Sequence, residues 1–178
     1  MSSSNLKRRG IRLSFLLRHD PSGAIDEHGW REIADLVDFH GYTFELLCKI
    51  VETDNKGRYE FSEDMRLVRA RQGHSVPVDV ELDEVVPPPL LYHGTATCFV
   101  GSIMEKGILK MCRLYVHLSE KEETAMVVGK RHGDAVVLCV DAGRMHADGF
   151  KFYLSRNGVW LTDHVDAKYI IEKTVLQN

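Results

Sequence analysis

The sequence predicts an α+β fold in two parts, separated by three consecutive prolines. Its 178 residues suffice for one medium domain or two small ones. Before Pro87–Pro89 the apolar pattern is mostly helical, and after the prolines short strand-like runs alternate with helices. Because proline continues neither a helix nor a central strand, the triproline favours a stiff connector. We therefore predict two lobes, residues 1–86 and 90–178.

The first part contains three predicted helices followed by a predicted β-hairpin. The helices cover about 6–18, 30–39 and 44–52, and the strands 58–61 and 66–70. Gly41 is suited to end the second helix and Thr43 to cap the third. Three helices and a hairpin indicate a winged-helix-like lobe, an arrangement that serves nucleic-acid and protein contacts alike.

The second part is predicted to be a smaller α+β unit with several short strands. The predicted strands are LLYHGT (90–95), YVHLS (115–119), AVVLCVDA (135–142), FKFYLS (150–155), VWLT (159–162) and AKYIIEKTVL (167–176). Two helices are predicted at 96–107 and 120–130. Ser119 and Glu122 match a capping box before the second of these helices, and Asn157-Gly158 is a hairpin signal.

The charge pattern limits where a nucleic acid could bind. The net charge of −3 argues against a general polyanion-binding surface, so any such contact depends on a local cluster. One cluster within sixteen residues comprises Lys56, Arg58, Arg66, Arg69 and Arg71. Arginine dominates it, and the planar guanidinium suits phosphate better than a lysine ammonium does.

Residues 69–75, RARQGHS, form a second dense polar stretch. A glycine within it lets the backbone close on an anion. An ordinary polar loop after a hairpin is the alternative, but the composition favours a phosphate cradle. The residues that we predict to bind phosphate or RNA are Arg69, Gln72, His74 and Ser75.

Several classes of protein are disfavoured by absent patterns. No apolar run approaches the roughly 18–20 residues of a membrane span, and the basic N-terminus lacks the apolar segment of a secretory signal. Four single cysteines without a C-x-x-C pair indicate reduced, mostly buried thiols in a cytoplasmic protein. No nucleotide-binding loop occurs, and the nine histidines lack metal-ligand spacing, so we expect no metal.

Polar residues near predicted strand ends are candidates for a ligand cleft. His93 precedes Gly94 at the end of one strand, and His117 lies within another. Arg131 follows a helix and Asn157 precedes a strand. Each alone is more typical of a satisfied core or turn residue. Histidines on two strands, with a glycine beside the first, could together line a cleft for a polar ligand.

The stretch LSFLLRHDP, residues 13–21, ends a core-facing helix with Arg18 and His19 before Asp20-Pro21. Cations at a helix C-terminus interact favourably with the helix dipole, which would explain both side chains without a ligand. A phosphate-binding pair is the other interpretation. The stretch itself does not decide between them.

Eight motifs, in order from about Leu13 to Ile171, resemble those of the NAD-dependent RNA 2′-phosphotransferases. They are LSFLLRHDP, DEHGW, NKGRYEF, RARQGHS, LYHGT, RLYVHLS, GKRHG and NGVWLT. The resemblance implies a winged-helix lobe joined to an ADP-ribosyltransferase-like lobe. It also implies a bacterial-type enzyme of RNA processing, such as tRNA splicing, that transfers an internal RNA 2′-phosphate to NAD⁺. The products would be 2′-hydroxyl RNA, nicotinamide and ADP-ribose 1″,2″-cyclic phosphate.

The resemblance also implies roles for particular residues. The catalytic tetrad would be Arg18, His19, Arg58 and Arg113. The NAD⁺-binding residues would be His93, Gly94, Thr95, His117, Ser119, Arg131, Asn157 and Val159. Val159 occupies a place that is a glutamate in many protein-modifying ADP-ribosyltransferases. Two small departures from the family pattern, Gly57 and Leu114, leave the tetrad intact.

The chemistry of this reaction fits such residues. A phosphomonoester is largely dianionic at pH 7, with a second pKa of about 6, so the attacking oxygen needs cationic positioning rather than a general base. Arg18, His19 and Arg58 would supply that positioning. In the second step charge builds on the phosphoryl oxygens, where Arg113 would stabilise it.

Two other functions remain open on the sequence. An ADP-ribosyltransferase acting on terminal phosphates of RNA or DNA would use the same fold and arginines. A winged-helix regulator that senses NAD⁺ without turnover would need a basic recognition helix, but residues 44–52 carry one lysine and two glutamates. The expected partners are 2′-phosphorylated RNA and NAD⁺, with no membrane, and we expect a monomer.

Overall fold

The chain divides into two units, Met1–Glu81 and Leu82–Asn178. The structure is a computed structural model that describes residues 3–22 and 24–175. The division between the units falls before the triproline, so the prolines belong to the second unit. Each unit has its own apolar core.

The first unit combines three helices with a three-stranded antiparallel sheet. Its elements are α1 (Ser3–Leu16), β1 (Trp30–Glu32), α2 (Ile33–His40), α3 (Phe44–Glu52), β2 (Tyr59–Phe61) and β3 (Leu67–Ala70). The strand order is β1-β3-β2. Apolar side chains of all three helices and the hairpin meet in the core, among them Leu13, Leu36, Leu47 and Val68.

The predicted third helix is confirmed to the residue, and the other two need correction. Thr43 caps α3, its Oγ1 accepting from the Leu46 N–H at 3.2 Å. The helix predicted over 30–39 is wrong at its start, because residues 30–32 form an edge strand beside β3 and the helix begins at Ile33. The first helix ends at Leu16, two residues earlier than predicted, and a turn follows.

The second unit contains three helices and three small antiparallel sheets. Its elements are β4 (Leu90–Ala96), α4 (Thr97–Lys106), β5 (Ile108–Leu109), β6 (Val116–Leu118), α5 (Glu122–Gly129), β7 (Ala135–Asp141), α6 (Ala142–Ala147), β8 (Tyr153–Leu154), β9 (Trp160–Thr162), β10 (His164–Val165) and β11 (Ile170–Val175). The sheets are β11-β7-β4, β6-β9-β8 and the pair β10-β5. The α+β class predicted for the chain is confirmed.

Several details of the second unit differ from the sequence prediction, among them the strand predicted over 150–155, which is shortened to Tyr153–Leu154. The predicted capping box is wrong: Lys121 precedes α5 without a side-chain cap, because Ser119 is paired through its backbone with Tyr92. The final strand starts at Ile170, after a turn of 3₁₀-helix over Ala167–Tyr169. The elements β5, α6 and β10 were not predicted, since two to six residues are too short to show a period.

The core of the second unit is built around β7. Every residue from Ala135 to Val140 is buried, as expected for a strand covered on both faces. Phe152 and Trp160 pack in the same cluster. The cysteines are all free thiols, but Cys98 and Cys112 are exposed, contrary to the burial we expected. Among the helices of the described residues, none has both the length and the apolarity to cross a membrane.

Candidate functional site

The structure brings the two predicted phosphate-binding stretches of the first unit together. Arg18 and His19 lie in the turn after α1, and the segment following β3 runs back to them. The Ser75 N–H donates to the Arg18 carbonyl at 3.0 Å, and the His19 Nδ1 and the Ser75 Oγ are hydrogen-bonded at 2.9 Å. Two stretches more than fifty residues apart in sequence therefore form one polar cluster.

Arg31 anchors the turn that carries Arg18 and His19, a role that we did not predict. Its side chain is 2 % exposed, and its Nη1 donates both to the Leu16 carbonyl at 3.0 Å and to Asp20 Oδ2 at 2.6 Å. Its Nε donates to Asp35 at 2.6 Å. Burial raises the pKa of Asp20, but the hydrogen bonds from Arg31 and Ser22 outweigh it and leave that pKa lowered.

Little in the sequence indicated that the side chain of Arg31 is buried. Arg31 follows Trp30 in the mixed polar and apolar segment WREIADLVDF, all of which we predicted to be helical. The strand β1 points it inward instead, where a guanidinium must be paired. The edge strand thus determines the burial of Arg31.

Arg58 is held by a carboxylate at the entry to β2. Asp54, with a side chain 3 % exposed, accepts from the Arg58 backbone N–H and, at 2.9 Å, from its Nε. Burial raises the pKa of Asp54, but its hydrogen bonds to Arg58 prevail and lower it. The Arg58 side chain stays 38 % exposed. It is therefore an oriented, charged and accessible guanidinium.

Arg69 and His74 lie beneath the surface of this cluster. Arg69 is 4 % exposed, donates to Glu60 at 2.6 Å and to Glu81 at 3.2 Å, and stacks over the Trp30 ring at 4.3 Å. An arginine already paired with two carboxylates is a poor phosphate ligand. Our prediction that Arg69 and His74 touch RNA disagrees with their burial, and we now expect them to support the residues above them.

The imidazole of His74 is neutral at neutral pH. Burial, aided by the positive charges of Arg18, His19 and Arg69, lowers the pKa of His74 to about 4. Its Nε2 is buried and has no hydrogen-bond partner among the described residues. Of the other two cradle residues, Gln72 is half-buried and Ser75 is exposed.

In the second unit, His93 and His117 meet where β4 and β6 come together. Tyr92 and Ser119 exchange two backbone hydrogen bonds of 2.8 Å, a single bridge between the two strands. One residue further, the His93 Nδ1 donates to the His117 carbonyl at 3.1 Å. Because a carbonyl only accepts, Nδ1 carries the proton and Nε2 of the neutral ring is an acceptor. Burial lowers the pKa of His93, which keeps the ring neutral.

Gly94 is required by helix packing. A Cβ at this position would lie 1.7 Å from the Ala125 carbonyl oxygen of α5. Gly129, at the end of the same helix, also approaches β4 closely, and a Cβ there would lie 2.9 Å from the Thr95 carbonyl oxygen. The close approach that we expected from a ligand is thus made by α5, which fixes the strand carrying His93. Arg131 follows this helix and is exposed.

The buried side chain of Ser155 holds the loop before β9 in place through hydrogen bonds. The Ser155 Oγ accepts from the Val159 N–H at 2.9 Å and lies 2.8 Å from Asn157 Oδ1, and Gly158 closes the turn with a φ of 76°. Asn157 and Val159 are half-buried. Since β9 pairs with β6, this loop leads directly into the strand beside His117.

Arg113 lies three residues before β6, in an exposed turn that its N–H closes onto the Lys110 carbonyl at 3.0 Å. Within residues 3–22 and 24–175 no group of three or more His, Cys, Asp or Glu side chains could hold a metal ion. The candidate site residues therefore present guanidinium groups, which bind anions, and imidazole groups, which form hydrogen bonds with hydroxyls.

Comparisons with known proteins define the class of this chain. The profile described as "RNA 2'-phosphotransferase, Tpt1 / KptA family" matches residues 5–164. The chain is similar to proteins named "Probable RNA 2'-phosphotransferase": 45 % identical to that of Acaryochloris marina, over 90 % of this chain and 93 % of the relative. Identity is 46 % with that of Fusobacterium nucleatum, over 89 % and 93 %, and 43 % with that of Nostoc punctiforme, over 96 % and 98 %.

These matches identify a transferase, and they confirm the resemblance inferred from the eight motifs. The chain belongs to the Tpt1 / KptA family of RNA 2′-phosphotransferases.

Proposed function

We propose that this protein removes an internal 2′-phosphate from RNA by transferring it to NAD⁺. The products are 2′-hydroxyl RNA, nicotinamide and ADP-ribose 1″,2″-cyclic phosphate. The observation that carries the proposal is the family match over residues 5–164, which contains every residue proposed for the site, from Arg18 to Val159. NAD⁺ is a second substrate, and the proposal needs no metal. A cytoplasmic role in RNA processing such as tRNA splicing remains a prediction.

The proposal assigns one substrate to each unit. The element order α-β-α-α-β-β with the sheet β1-β3-β2 supports a winged-helix-like first unit that binds the RNA phosphate. Two small sheets that meet at the bridge beside His93 and His117 support an ADP-ribosyltransferase-like second unit that binds NAD⁺.

In the first step a 2′-phosphate oxygen attacks C1″ of the nicotinamide ribose, and the glycosidic bond to nicotinamide breaks. The phosphate is already anionic and needs orientation, which Arg18, His19 and Arg58 supply. Asp54 supports this role, because it fixes the Arg58 guanidinium and keeps it charged while leaving part of it exposed. Orientation of this kind contributes up to about 7–11 kcal/mol in ideal cases.

The second unit holds the ADP-ribose portion of NAD⁺. His93 is a neutral imidazole with Nε2 as acceptor, which suits a ribose hydroxyl donor. His117, Asn157 and Val159 lie on or beside the strand pair β6 and β9. The remaining proposed contacts come from Thr95, Ser119 and Arg131.

In the second step the ribose 2″-hydroxyl attacks phosphorus and the bond from phosphorus to the RNA 2′-oxygen breaks. The hydroxyl proton ends on the RNA 2′-oxygen. Negative charge develops on the phosphoryl oxygens, and Arg113 stabilises it, since a guanidinium donates two hydrogen bonds to such oxygens. The exposed turn of Arg113 lets its side chain reach a bound substrate.

The test mixes the protein with NAD⁺ and an oligoribonucleotide carrying one internal 2′-phosphate. We expect one nicotinamide released for each phosphate lost, and neither event with the matching 2′-hydroxyl oligonucleotide. Nicotinamide release that does not depend on the 2′-phosphate would contradict the proposal. NADH is the control co-substrate, because its dihydronicotinamide lacks the positive charge that makes it a leaving group.

The same assay addresses the two alternatives. An oligonucleotide with only a terminal phosphate should remain unmodified, and its ADP-ribosylation at a comparable rate would favour the terminal-phosphate transferase. Binding of NAD⁺ without turnover on any of these RNAs would favour a regulator.

A further inference from the structure

The first nineteen residues contain no aspartate or glutamate, although the protein as a whole has a net charge of −3. The same stretch contains one lysine and four arginines before the first acid, Asp20. Most of it is α1, which leads to the turn of Arg18 and His19. The strongest local excess of positive charge thus lies immediately before the proposed phosphate site.

The side chains of α1 divide into a core face and a solvent face. At 100° per residue, Leu13 and Leu16 fall on one side, and both are buried, as is Leu17 in the turn that follows. The opposite side carries the exposed residues Lys7, Arg8, Ile11, Arg12 and Phe15. The solvent face is therefore a stripe of three cations with two exposed apolar side chains.

Phe15 stands at the end of this stripe next to the proposed site. Its side chain is 52 % exposed, and its ring centroid lies 6.1 Å from that of His19. An exposed aromatic ring beside cations has the chemistry that nucleic-acid-binding proteins use to stack on a base. A folding role does not account for this exposure, because the core side of α1 is already filled by leucines.

Arg9 shows what an arginine of α1 does when it serves the fold. Its guanidinium donates to the Gly41 carbonyl and stacks over the Tyr42 ring at 4.1 Å. At 100° per residue Arg9 falls between Leu16 and Leu13, on the core side of the helix and apart from the stripe, and it reaches the loop after α2. The contrast separates one structural arginine from the three exposed cations.

We propose that the solvent face of α1 binds the RNA strand flanking the 2′-phosphate. Lys7, Arg8 and Arg12 contact backbone phosphates, and Phe15 stacks on the base next to the phosphorylated nucleotide. The assignment of that nucleotide to the Arg18–His19 turn rests on the proposed function. Because these contacts are to the RNA backbone and to the face of a base, the surface binds RNA without recognising its sequence.

The length of the stripe sets the length of RNA that it holds. From Lys7 to Phe15 the helix rises about 12 Å at ~1.5 Å per residue. With nucleic-acid phosphates about 3.4 Å apart along a stacked strand, this spans roughly three nucleotides. A dinucleotide carrying the 2′-phosphate would therefore reach the catalytic turn without occupying most of the stripe.

The test compares a 2′-phosphorylated dinucleotide with a 2′-phosphorylated nonanucleotide. The variant Lys7→Gln/Arg8→Gln/Arg12→Gln removes the three charges and keeps side chains suited to a helix. We expect its KM for the nonanucleotide to rise at least tenfold while its kcat/KM for the dinucleotide stays within twofold of wild type. Without NAD⁺, the slope of log affinity against log salt for the nonanucleotide should fall by about 2, at ~0.7 per lost phosphate contact.

Phe15→Leu tests the stacking contact while keeping an apolar side chain. We expect about 5- to 150-fold weaker binding of the nonanucleotide, the range of base–aromatic stacking, and an unchanged salt slope. The control Lys106→Gln/Lys121→Gln/Lys168→Gln removes three positive charges from the second unit and should match wild type. Circular dichroism confirms that each variant is folded.

The outcomes separate this proposal from the proposed function. Wild-type KM and salt slope in the triple α1 variant would overturn the α1 surface alone, as would equal losses with the dinucleotide and the nonanucleotide. The wild-type protein could remove no phosphate with NAD⁺ and still bind RNA in a way that depends on the stripe. That result would contradict the proposed reaction and support the RNA-binding surface on α1.

Discussion

Arg31 and Asp20 form an ion pair in which both side chains are almost withdrawn from water, at 2 % and 12 % exposure. Such a pair is a modest net stabiliser, but removing one partner leaves a buried charge alone. The pair joins the end of α1 to the strand β1. Its energetic role is therefore to hold the turn of Arg18 and His19 in one conformation.

We predict that Arg31→Met lowers the free energy of unfolding by about 3 kcal/mol, because Asp20 and Asp35 lose their main cationic partner. Urea unfolding measures the change. The double variant Arg31→Met/Asp20→Asn should recover part of the loss, since it removes one unpaired charge. A double variant as unstable as the sum of its single changes would contradict this explanation.

Arg113 gives a prediction about a reaction intermediate. Arg113→Ala should slow the second step about 10²- to 10³-fold and leave the first nearly unchanged, because charge on the phosphoryl oxygens develops mainly in the second. Gel electrophoresis of the RNA should then show an ADP-ribosylated species that accumulates. The control is Arg66→Ala, which removes an exposed arginine of the first unit. Absence of the species despite nicotinamide release would reject the role of Arg113.

Among the elements, the contact between β4 and α5 has the least tolerance for change. Both Gly94 and Gly129 lie at backbone-to-backbone approaches where a methyl group has no space. The strand that carries His93 is thus fixed by main chain on its helix side. An error in this packing would move the histidine as well as weaken the core.

We predict that Gly94→Ala destabilises the second unit by about 3 kcal/mol or more and reduces NAD⁺ binding, because α5 must move away from β4. Gly101→Ala is the matched control: it lies inside α4 with nothing within 4 Å of the added methyl, and should stabilise by about 0.5–1 kcal/mol. Thermal unfolding distinguishes the two. Equal effects at both positions would show that packing at Gly94 is not limiting.

Elements determined by their own residues could be predicted, and elements determined by distant pairing could not. The helix α3 has a strong apolar period and a capping threonine, so its bounds are local properties. The strand β1 is three residues long and exists because β3 offers it a partner. Ser119 lies in a capping-box sequence, but its backbone pairs with that of Tyr92 on β4.

The candidate site divides in the same way. Arg18 and His19 could be singled out because an apolar helix ends there, and Arg58 because it lies in an arginine cluster. The anchoring by Arg31 depends on which face of β1 points inward. Arg69 lies on the face of β3 opposite the core residue Val68, and its burial there depends on Glu60, Glu81 and Trp30, which come from other parts of the chain. The residue composition of a polar stretch did not show that Arg69 and His74 are buried while Ser75 is exposed.

At the scale of the whole molecule, buried histidines connect stability to pH. The pKa of His74 is about 4 in the folded protein, below its ordinary value of about 6.5. Between these values the unfolded chain binds more protons, so the free energy of unfolding rises with pH. The lowered pKa of His93 acts in the same direction in the second unit. The lowered pKa values of Asp20 and Asp54 act only at more acidic pH.

We predict that the first unit loses up to about 3 kcal/mol of stability as pH falls from 6.5 to 4, at about 1.4 kcal/mol per pH unit for one proton. Urea unfolding at a series of pH values measures this loss. His74→Gln removes the titrating group and should flatten the dependence in this window, whatever its effect on absolute stability. An unchanged slope in that variant would assign the pH dependence to other groups.

The two tryptophans of the chain fall one in each unit: Trp30 is half-buried beneath Arg69, and Trp160 is buried beside Val159. Each unit therefore contains its own intrinsic fluorophore. A Trp160→Phe protein keeps tryptophan emission only from the unit proposed to bind RNA, and a Trp30→Phe protein only from the unit proposed to bind NAD⁺. Titrating each with one substrate at a time would follow the two binding events separately, without an attached dye.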